Sequence, residues 1–179
     1  MLGRRPPPPA FIIAGVDPFT VSATIAAPRE RVFEYLSDIA SHAEFSDHYM
    51  VDWHLLREDS HGTGAGARFK LKAPLNRFAW GDLVLTELAP PHRIVLKGRS
   101  GKYNRVRTIA VYTLDPGPSG TTRVDYTFET DPPLLSDRLR EALGGRAWAH
   151  RQSAKAMRRL RAILEENAHR GQRPTVAAR

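Results

Sequence analysis

Apolar and polar residues alternate with a period of two over most of the first three quarters of the chain. Phe19–Ile25 places its apolar side chains on one face, and Ala67–Ala73 does so most regularly. Because successive side chains of a β-strand point to opposite faces, this alternation predicts strands with one buried face. Further strands are predicted at 50–55, 78–88, 93–98, 105–114 and 122–130. The short turns between the last six of these seven strands indicate an antiparallel meander.

Three segments follow the helical period instead. Pro28 and Glu30 suit the first turn of a short helix over about 28–37, and a second short helix is predicted at 39–45. Residues 135–166 contain few β-branched residues and no proline, which predicts one long helix with a kink at Gly144-Gly145. One stripe of this helix carries its small and apolar residues: Leu135, Leu139, Ala142, Ala149, Ser153, Met157, Leu160 and Leu164.

This order of elements predicts the fold class. We predict an α+β fold in which a curved, seven-stranded antiparallel sheet wraps around the long C-terminal helix, with the two short helices after the first strand. This arrangement buries every apolar face. The hollow between the sheet and the helix is the natural place for a cavity.

The length sets the number of domains. The chain has 179 residues, which is enough for one core but not for two domains of ordinary size. We predict a single domain over 19–166, between a flexible proline-rich arm at 1–18 and a flexible basic tail at 167–179. The sequence has no cysteine, which excludes disulfides, thiol nucleophiles and thiolate-bound zinc. No cofactor and no metal site are predicted.

The charge is unevenly distributed. Residues 138–179 hold eleven Arg or Lys and three Glu, so the whole net charge of +8 lies there. Such a segment could attract nucleic acid or an anionic membrane, but a solvated helix face explains it more simply, and no specific nucleic-acid partner is expected. The apolar run Ala10–Val16 is too short to span a membrane and lacks a signal-peptide pattern. The sequence therefore favours a soluble, cytoplasmic protein without a membrane span.

Three sequence segments resemble a known family. They are Val21–Pro28 leading into Arg31–Asp38, the glycine turn Gly62–Arg68, and Trp80–Ile94 with its Pro-Pro-His-Arg-Ile end. In this order they resemble the helix-grip fold of the START-like (SRPBCC) superfamily, particularly its bacterial polyketide cyclase/dehydrase group, over roughly 19–166. The resemblance implies a cavity for a hydrophobic ligand, since members bind or transform lipids, sterols, hormones and polyketides. It carries over no catalytic residues, which stay unknown.

Candidate cavity residues follow from their place in the predicted elements. They are Phe69, Trp80, Asp82, Tyr112, Tyr126, Arg146, Ala149 and His150. A tyrosine hydroxyl or an indole N–H that faces a cavity would orient a ligand, although core packing also explains these aromatic residues. Arg146 lies on the apolar stripe and His150 at its edge. A buried arginine needs an anionic partner, so Asp82, Asp125, Glu129 or a ligand anion would pair with Arg146, unless the kink turns it to solvent.

Two functional hypotheses follow, with a third behind them. The leading one is binding of a small hydrophobic or aromatic ligand, lipid- or polyketide-like, in the cavity. The alternative is a polyketide cyclase or dehydratase in which Arg146, Tyr112 and Tyr126 polarise carbonyls or shuttle protons. An interaction module that works through the basic helix is the third.

Four further residues invite a specific interpretation. His42, His48 and His54 recur every six residues, a spacing that fits no helical or strand metal site. We therefore expect solvent-exposed or capping histidines. Trp148 points away from the helix stripe, which predicts an exposed side chain and leaves open a contact surface such as a homodimer interface.

Overall fold

The computed structural model describes residues 16–74, 80–166 and 174–176. Within them the strands are β1 Val16–Ile25, β2 Met50–Leu55, β3 Gly66–Leu71, β4 Trp80–Ala89, β5 Arg93–Ser100, β6 Val106–Pro116, β7 Thr122–Asp131 and β8 Thr175–Val176. The helices are α1 Arg29–Ser37, α2 His42–Ser46, α3 Leu135–Arg140 and α4 Arg146–Glu166. The predicted α+β class is confirmed, with two short helices after the first strand.

One sheet contains all these strands, in the order β1-β7-β6-β5-β4-β3-β2-β8. Strands β1 to β7 are each antiparallel to their neighbours, and β2 to β7 form the predicted meander. Strand β1 pairs with β7, with Val21 opposite Tyr126. The eighth strand was not predicted. It has two residues and runs parallel to β2, with His54 opposite Thr175, so this part of the predicted tail pairs with the sheet edge. Residues 1–15 of the predicted arm and most of the tail lie outside the described residues.

Irregularities in pairing curve the sheet around the helix. The register shifts between Val51 and His54 on β2, and between Leu85 and Glu87 on β4. A bulge of this kind bends its strand and increases the local twist. Asp52, inside the first shift, has a φ of +52°. The concave face that results is the face against which α4 packs.

The core lies between that face and α4. The helix buries one side against β1 and α2, through Ser153, Ala156, Met157, Leu160, Ile163 and Leu164. On α1, Val32, Phe33 and Leu36 are buried, and the Pro28 carbonyl accepts the first helical hydrogen bond from the Val32 amide at 3.1 Å. These side chains fill part of the space on the concave side of the sheet, and the space near the start of α4 is left open.

The long helix predicted at 135–166 is present with its predicted kink at Gly144-Gly145, which divides it into two helices. The turn Glu141–Gly145 separates α3 from α4, and within it Gly144 has a φ of +119°, which a residue with a Cβ rarely adopts. The break changes the helical phase, so Leu135 and Leu139 point to solvent and are 82% and 56% exposed. The predicted stripe was therefore wrong at Leu135, Leu139 and Ala142. It holds only along α4.

Candidate functional site

A cavity of about 180 Å³ lies between the concave sheet and the α3–α4 region. Buried side chains from the strands and from the segment before β2 form its floor, and these include Tyr49, Phe69 and Leu83. Exposed charged residues, among them Arg99 and Arg140, stand around its open side. The cavity thus has an apolar interior and a charged rim.

Aromatic rings make up much of the lining, which also includes Phe19, Tyr126, Phe128 and Trp148. Phe19 and Phe128 have ring centroids 5.6 Å apart, and Tyr126 stacks on Phe128 at 6.3 Å. On the other side, Trp148 meets Tyr49 edge-on at 6.0 Å. Rings at these separations hold one another in place, so they present fixed apolar surfaces to whatever occupies the space.

The floor contains few polar groups. Tyr49 and Tyr126 both lie beside Ser153 of α4, and all three line the cavity. Burial raises the pKa of both phenols, and hydrogen bonding with Ser153 only partly offsets the rise. The hydroxyls therefore stay protonated at neutral pH and can donate a hydrogen bond to an acceptor inside the cavity.

A half-buried carboxyl group at the cavity was missed by sequence reasoning. Glu141 lies in the turn between α3 and α4, and its Oε2 accepts a hydrogen bond from Thr130 Oγ1 at 2.7 Å. Burial, ahead of every other influence, raises the pKa of Glu141. The glycine pair after it was the available signal, because the break at Gly144 is what turns this position toward the sheet.

A bidentate ion pair between Arg105 and Asp137 lies on one side of the rim. Arg105, just before β6, donates from Nε to Asp137 Oδ2 at 2.8 Å and from Nη2 to Asp137 Oδ1 at 2.7 Å. The guanidinium lowers the pKa of Asp137, so the carboxylate stays ionised in its buried position. This pair fixes α3 beside the β5–β6 connection.

Arg146 is at the cavity, but without the partner that the sequence predicted. Its Nη2 donates to the Pro18 carbonyl oxygen of β1 at 2.9 Å, and among the described residues no carboxylate forms an ion pair with it. Two of the three expected partners are engaged elsewhere: Asp82 accepts from Asn104 Nδ2 at 2.6 Å, and Asp125 pairs with Arg123 at 3.0 Å. Arg146 instead joins the start of α4 to β1.

The predicted site residues divide into three groups. Phe69, Asp82, Tyr126, Arg146 and Ala149 all line the cavity. Tyr112 lines only a smaller cavity behind it. Trp80 and His150 line neither cavity, which corrects both predictions. Trp80 is 37% exposed and lies beneath the Lys70 ammonium group, since Gly81 and Leu83 supply the inner face of β4. His150 is exposed beside Phe19, because a residue one step beyond Ala149 turns about 100° away.

The smaller cavity, of about 20 Å³, has room for one water molecule. It shares Tyr49, Tyr126 and Ser153 with the larger one, so these side chains form the wall between the two. His42 and Tyr112 lie on its far side, with ring centroids 5.9 Å apart.

His42 is buried rather than exposed, but it does cap, because its side chain binds a carbonyl in the last turn of α1. Its Nε2 lies 2.9 Å from the Leu36 carbonyl oxygen, to which it donates as the neutral tautomer. Burial lowers the pKa of His42, outweighing that hydrogen bond and the charge of Asp38. His48 is half-buried between the Gln152 carbonyl and Arg159. Within the described part of the chain, no three His, Cys, Asp or Glu side chains group as metal ligands do.

The buried His42 makes stability depend on pH. The unfolded chain protonates this ring near its ordinary pKa of 6.5, whereas the folded protein does so only at lower pH. The unfolded state then binds more protons, so the free energy of unfolding should fall below pH 6.5, by up to about 1.4 kcal/mol per pH unit. His42→Gln keeps an N–H donor without the titration and should flatten this slope in urea denaturation.

A second histidine contributes to the same pH dependence of stability. The pKa of His48 is lowered as well, so the variant should reduce the acid dependence rather than remove it. His92→Gln, at an exposed histidine before β5, is the matched control for the loss of one imidazole. An unchanged slope in His42→Gln would contradict the assignment to His42.

Trp148 also departs from its prediction. Its side chain is half-buried and lines the cavity against Tyr49. The helix is covered on two sides, by β1 and by α2, so its buried arc is wider than the apolar stripe. Arg159, on the same flank as Trp148, pairs with Asp47 after α2 at 2.5 Å. Trp148 therefore offers no exposed surface of the predicted kind.

Comparison with known proteins places the chain in context. A family model described as polyketide cyclase/dehydrase and lipid transport matches residues 18–165, whereas no curated protein matches significantly. Among solved structures, protein TTHA0849 from Thermus thermophilus is 13% identical with a TM-score of 0.61, over 85% of this chain and 99% of that one. Protein CV1439 from Chromobacterium violaceum is 18% identical with a TM-score of 0.57, over 84% and 99%. At these identities the structures share the fold.

Proposed function

The chain belongs to the polyketide cyclase/dehydrase and lipid transport family, and from this premise we propose that it binds a small hydrophobic or aromatic ligand, lipid- or polyketide-like, in the 180 Å³ cavity. The observation that carries the proposal is the composition of that cavity. An apolar, largely aromatic interior with few polar groups is the usual lining of a small-molecule site.

The volume limits the part of the ligand that is enclosed. An apolar cavity of about 150 Å³ holds a molecule the size of benzene. The enclosed space here therefore suits one substituted aromatic ring or a short stretch of chain, and a longer ligand extends through the open side. Its polar end would then lie among Arg99, Arg140 and Arg146 at the rim.

The hydroxyl of Tyr126 supplies the orienting contact in this proposal. Because the buried phenol stays protonated beside Ser153, it donates to a ligand carbonyl. Tyr126→Phe should weaken the binding of 2-acetylnaphthalene about three- to tenfold, the usual worth of one neutral hydrogen bond. Isothermal titration calorimetry measures the affinity, and 2-ethylnaphthalene, which has no carbonyl, should bind both proteins equally.

The adjacent strand provides the matched control. Tyr112 lies opposite Tyr126 in the register, with ring centroids 4.9 Å apart, but lines only the smaller cavity. Tyr112→Phe removes the same group from a neighbouring buried position outside the larger cavity and should leave the affinity for the ketone unchanged. Equal losses in the two variants would point to core packing rather than a ligand contact.

A second candidate function rests on Glu141. Burial raises the pKa of this carboxyl group, which lines the edge of the cavity, and a carboxylic acid there would protonate a leaving hydroxyl or a carbonyl oxygen. That role belongs to an enzyme such as a cyclase or dehydratase. Liquid chromatography with mass spectrometry of the ligand that co-purifies with the protein, before and after incubation, separates the two: an unchanged retention time and mass support binding alone, and a change in either supports the enzyme.

A further inference from the structure

Exposed apolar side chains are concentrated at the cavity rim. Within the described part of the chain, eight large hydrophobic residues are exposed. Five of them lie on two segments next to the cavity and are called the rim patch here: Tyr103, Leu134, Leu135, Leu139 and Leu143. Tyr103 and Leu135 are each 82% exposed, and Leu143 is 78% exposed. Single exposed apolar residues are ordinary, whereas a cluster at one place marks an interaction site.

The two segments are neighbours in space. Residues 101–105 connect β5 to β6, and residues 134–146 form α3 and the turn after it. The ion pair between Arg105 and Asp137, with its two short hydrogen bonds, joins them directly. Gly101 from the first segment and Arg140 from the second both line the cavity. The two segments that carry the rim patch therefore both reach the edge of the cavity.

The charged groups of these segments complement an anionic surface. The charged side chains that are exposed are all basic: Lys102, Arg138 and Arg140. The acidic ones are turned inward, since Asp137 is buried against Arg105 and Glu141 accepts from Thr130. Leucines interleaved with cations on one short amphipathic segment are the pattern of an element that lies in a membrane interface.

We propose that the rim patch docks the cavity opening onto a membrane surface that contains anionic lipid. The leucines would enter the boundary between headgroups and acyl chains, and Lys102, Arg138 and Arg140 would meet phosphate groups. This is peripheral binding: neither α4 nor any shorter helix of the described residues has the length and apolarity that a crossing requires. The exposure and charge of these residues alone support the docking surface, so it does not depend on the identity of the ligand.

The same charges disfavour a second copy as the occupant. A symmetric dimer through this patch would bring the basic side chains of one protomer against those of the other. Like charges in that position oppose association, and no exposed acidic side chain of the two segments compensates them. A bilayer that contains anionic lipid supplies both the apolar phase and the counter-charge.

Co-sedimentation of the full chain with lipid vesicles tests the proposal. We expect binding to phosphatidylcholine vesicles that contain roughly one third phosphatidylglycerol, much weaker binding to phosphatidylcholine alone, and weakening by salt. Leu135→Ser with Leu139→Ser should lower the affinity about tenfold or more, because the buried apolar area is lost. Lys102→Gln with Arg138→Gln should have an effect of similar size.

Matched variants elsewhere separate the rim patch from the general basicity of the chain. Leu56→Ser removes an exposed leucine just after the end of β2. Met50, which lines the cavity, lies at the opposite end of that strand. Lys155→Gln with Arg158→Gln removes two exposed cations from α4. Both should bind vesicles like the unmodified protein. Thermal melts establish that every variant is folded.

Several results would overturn the proposal. They are an absence of vesicle binding, equal losses in the rim and α4 charge variants, and leucine variants that bind as the unmodified protein does. Sedimentation equilibrium adds another: if the protein does not bind vesicles and the leucine variants convert a dimer to a monomer, the patch is a protein interface.

Discussion

Replacing Ala149 with phenylalanine is expected to abolish ligand binding and to leave the fold intact. Ala149 lies near the start of α4 and lines the cavity. A benzyl group built on this position would enter the 180 Å³ space, which already exists, so little of the surrounding structure has to move. Overpacking in a filled core costs about 1–3 kcal/mol, and a preformed cavity avoids most of that cost.

The measurement compares two alanines of the same helical turn. Isothermal titration calorimetry with 2-acetylnaphthalene should show at least a tenfold loss of affinity for Ala149→Phe. Ala147→Phe introduces the same ring at an exposed position outside the lining and should bind like the unmodified protein. Unchanged affinity in Ala149→Phe, in a protein with an unchanged thermal midpoint, would place the ligand outside the cavity and contradict the proposed function.

The sheet could be predicted because its signal is local. Phe69, between Arg68 and Lys70, belongs to an alternation that admits one buried face, and its side chain is 3% exposed as that pattern requires. On β6 the prediction was harder, since both faces carry apolar residues. There Ala110 and Tyr112 are buried while Ile109 and Val111 are half-buried, a difference that depends on what covers each face.

The site was less predictable because it depends on a change of helical phase. Projecting residues 135–166 as one helix puts Leu139 in the core and Trp148 in solvent, and the break at Gly144 with the packing of α2 reverses both. The glycine pair was visible in the sequence, but the angle it imposes on the chain was not. Glu141 and the rim leucines were missed for the same reason: their direction is set by that turn.

One close approach between strands should make a small substitution costly. Gly98 lies on β5, opposite Leu83 of β4 and Thr108 of β6. A Cβ at this position would overlap the Asp82 carbonyl oxygen, which belongs to the backbone of β4. No side-chain rotation relieves such a contact, so the two strands would have to separate. Asp82, whose Oδ1 accepts from the Arg99 amide at 3.0 Å, would move with them.

Gly98→Ala is therefore expected to lower the free energy of unfolding by about 3 kcal/mol, at the upper end of overpacking effects. The smaller entropy of the unfolded alanine chain, worth less than about 1 kcal/mol, does not offset this. Urea denaturation gives the difference from the shift in midpoint. Gly62→Ala is the informative control, because Gly62 has a φ of +79° but nothing within 4 Å of a Cβ. Backbone strain alone should cost it about 1 kcal/mol, so a loss in Gly98→Ala no larger than that would mean that β4 and β5 separate readily at the cavity rim.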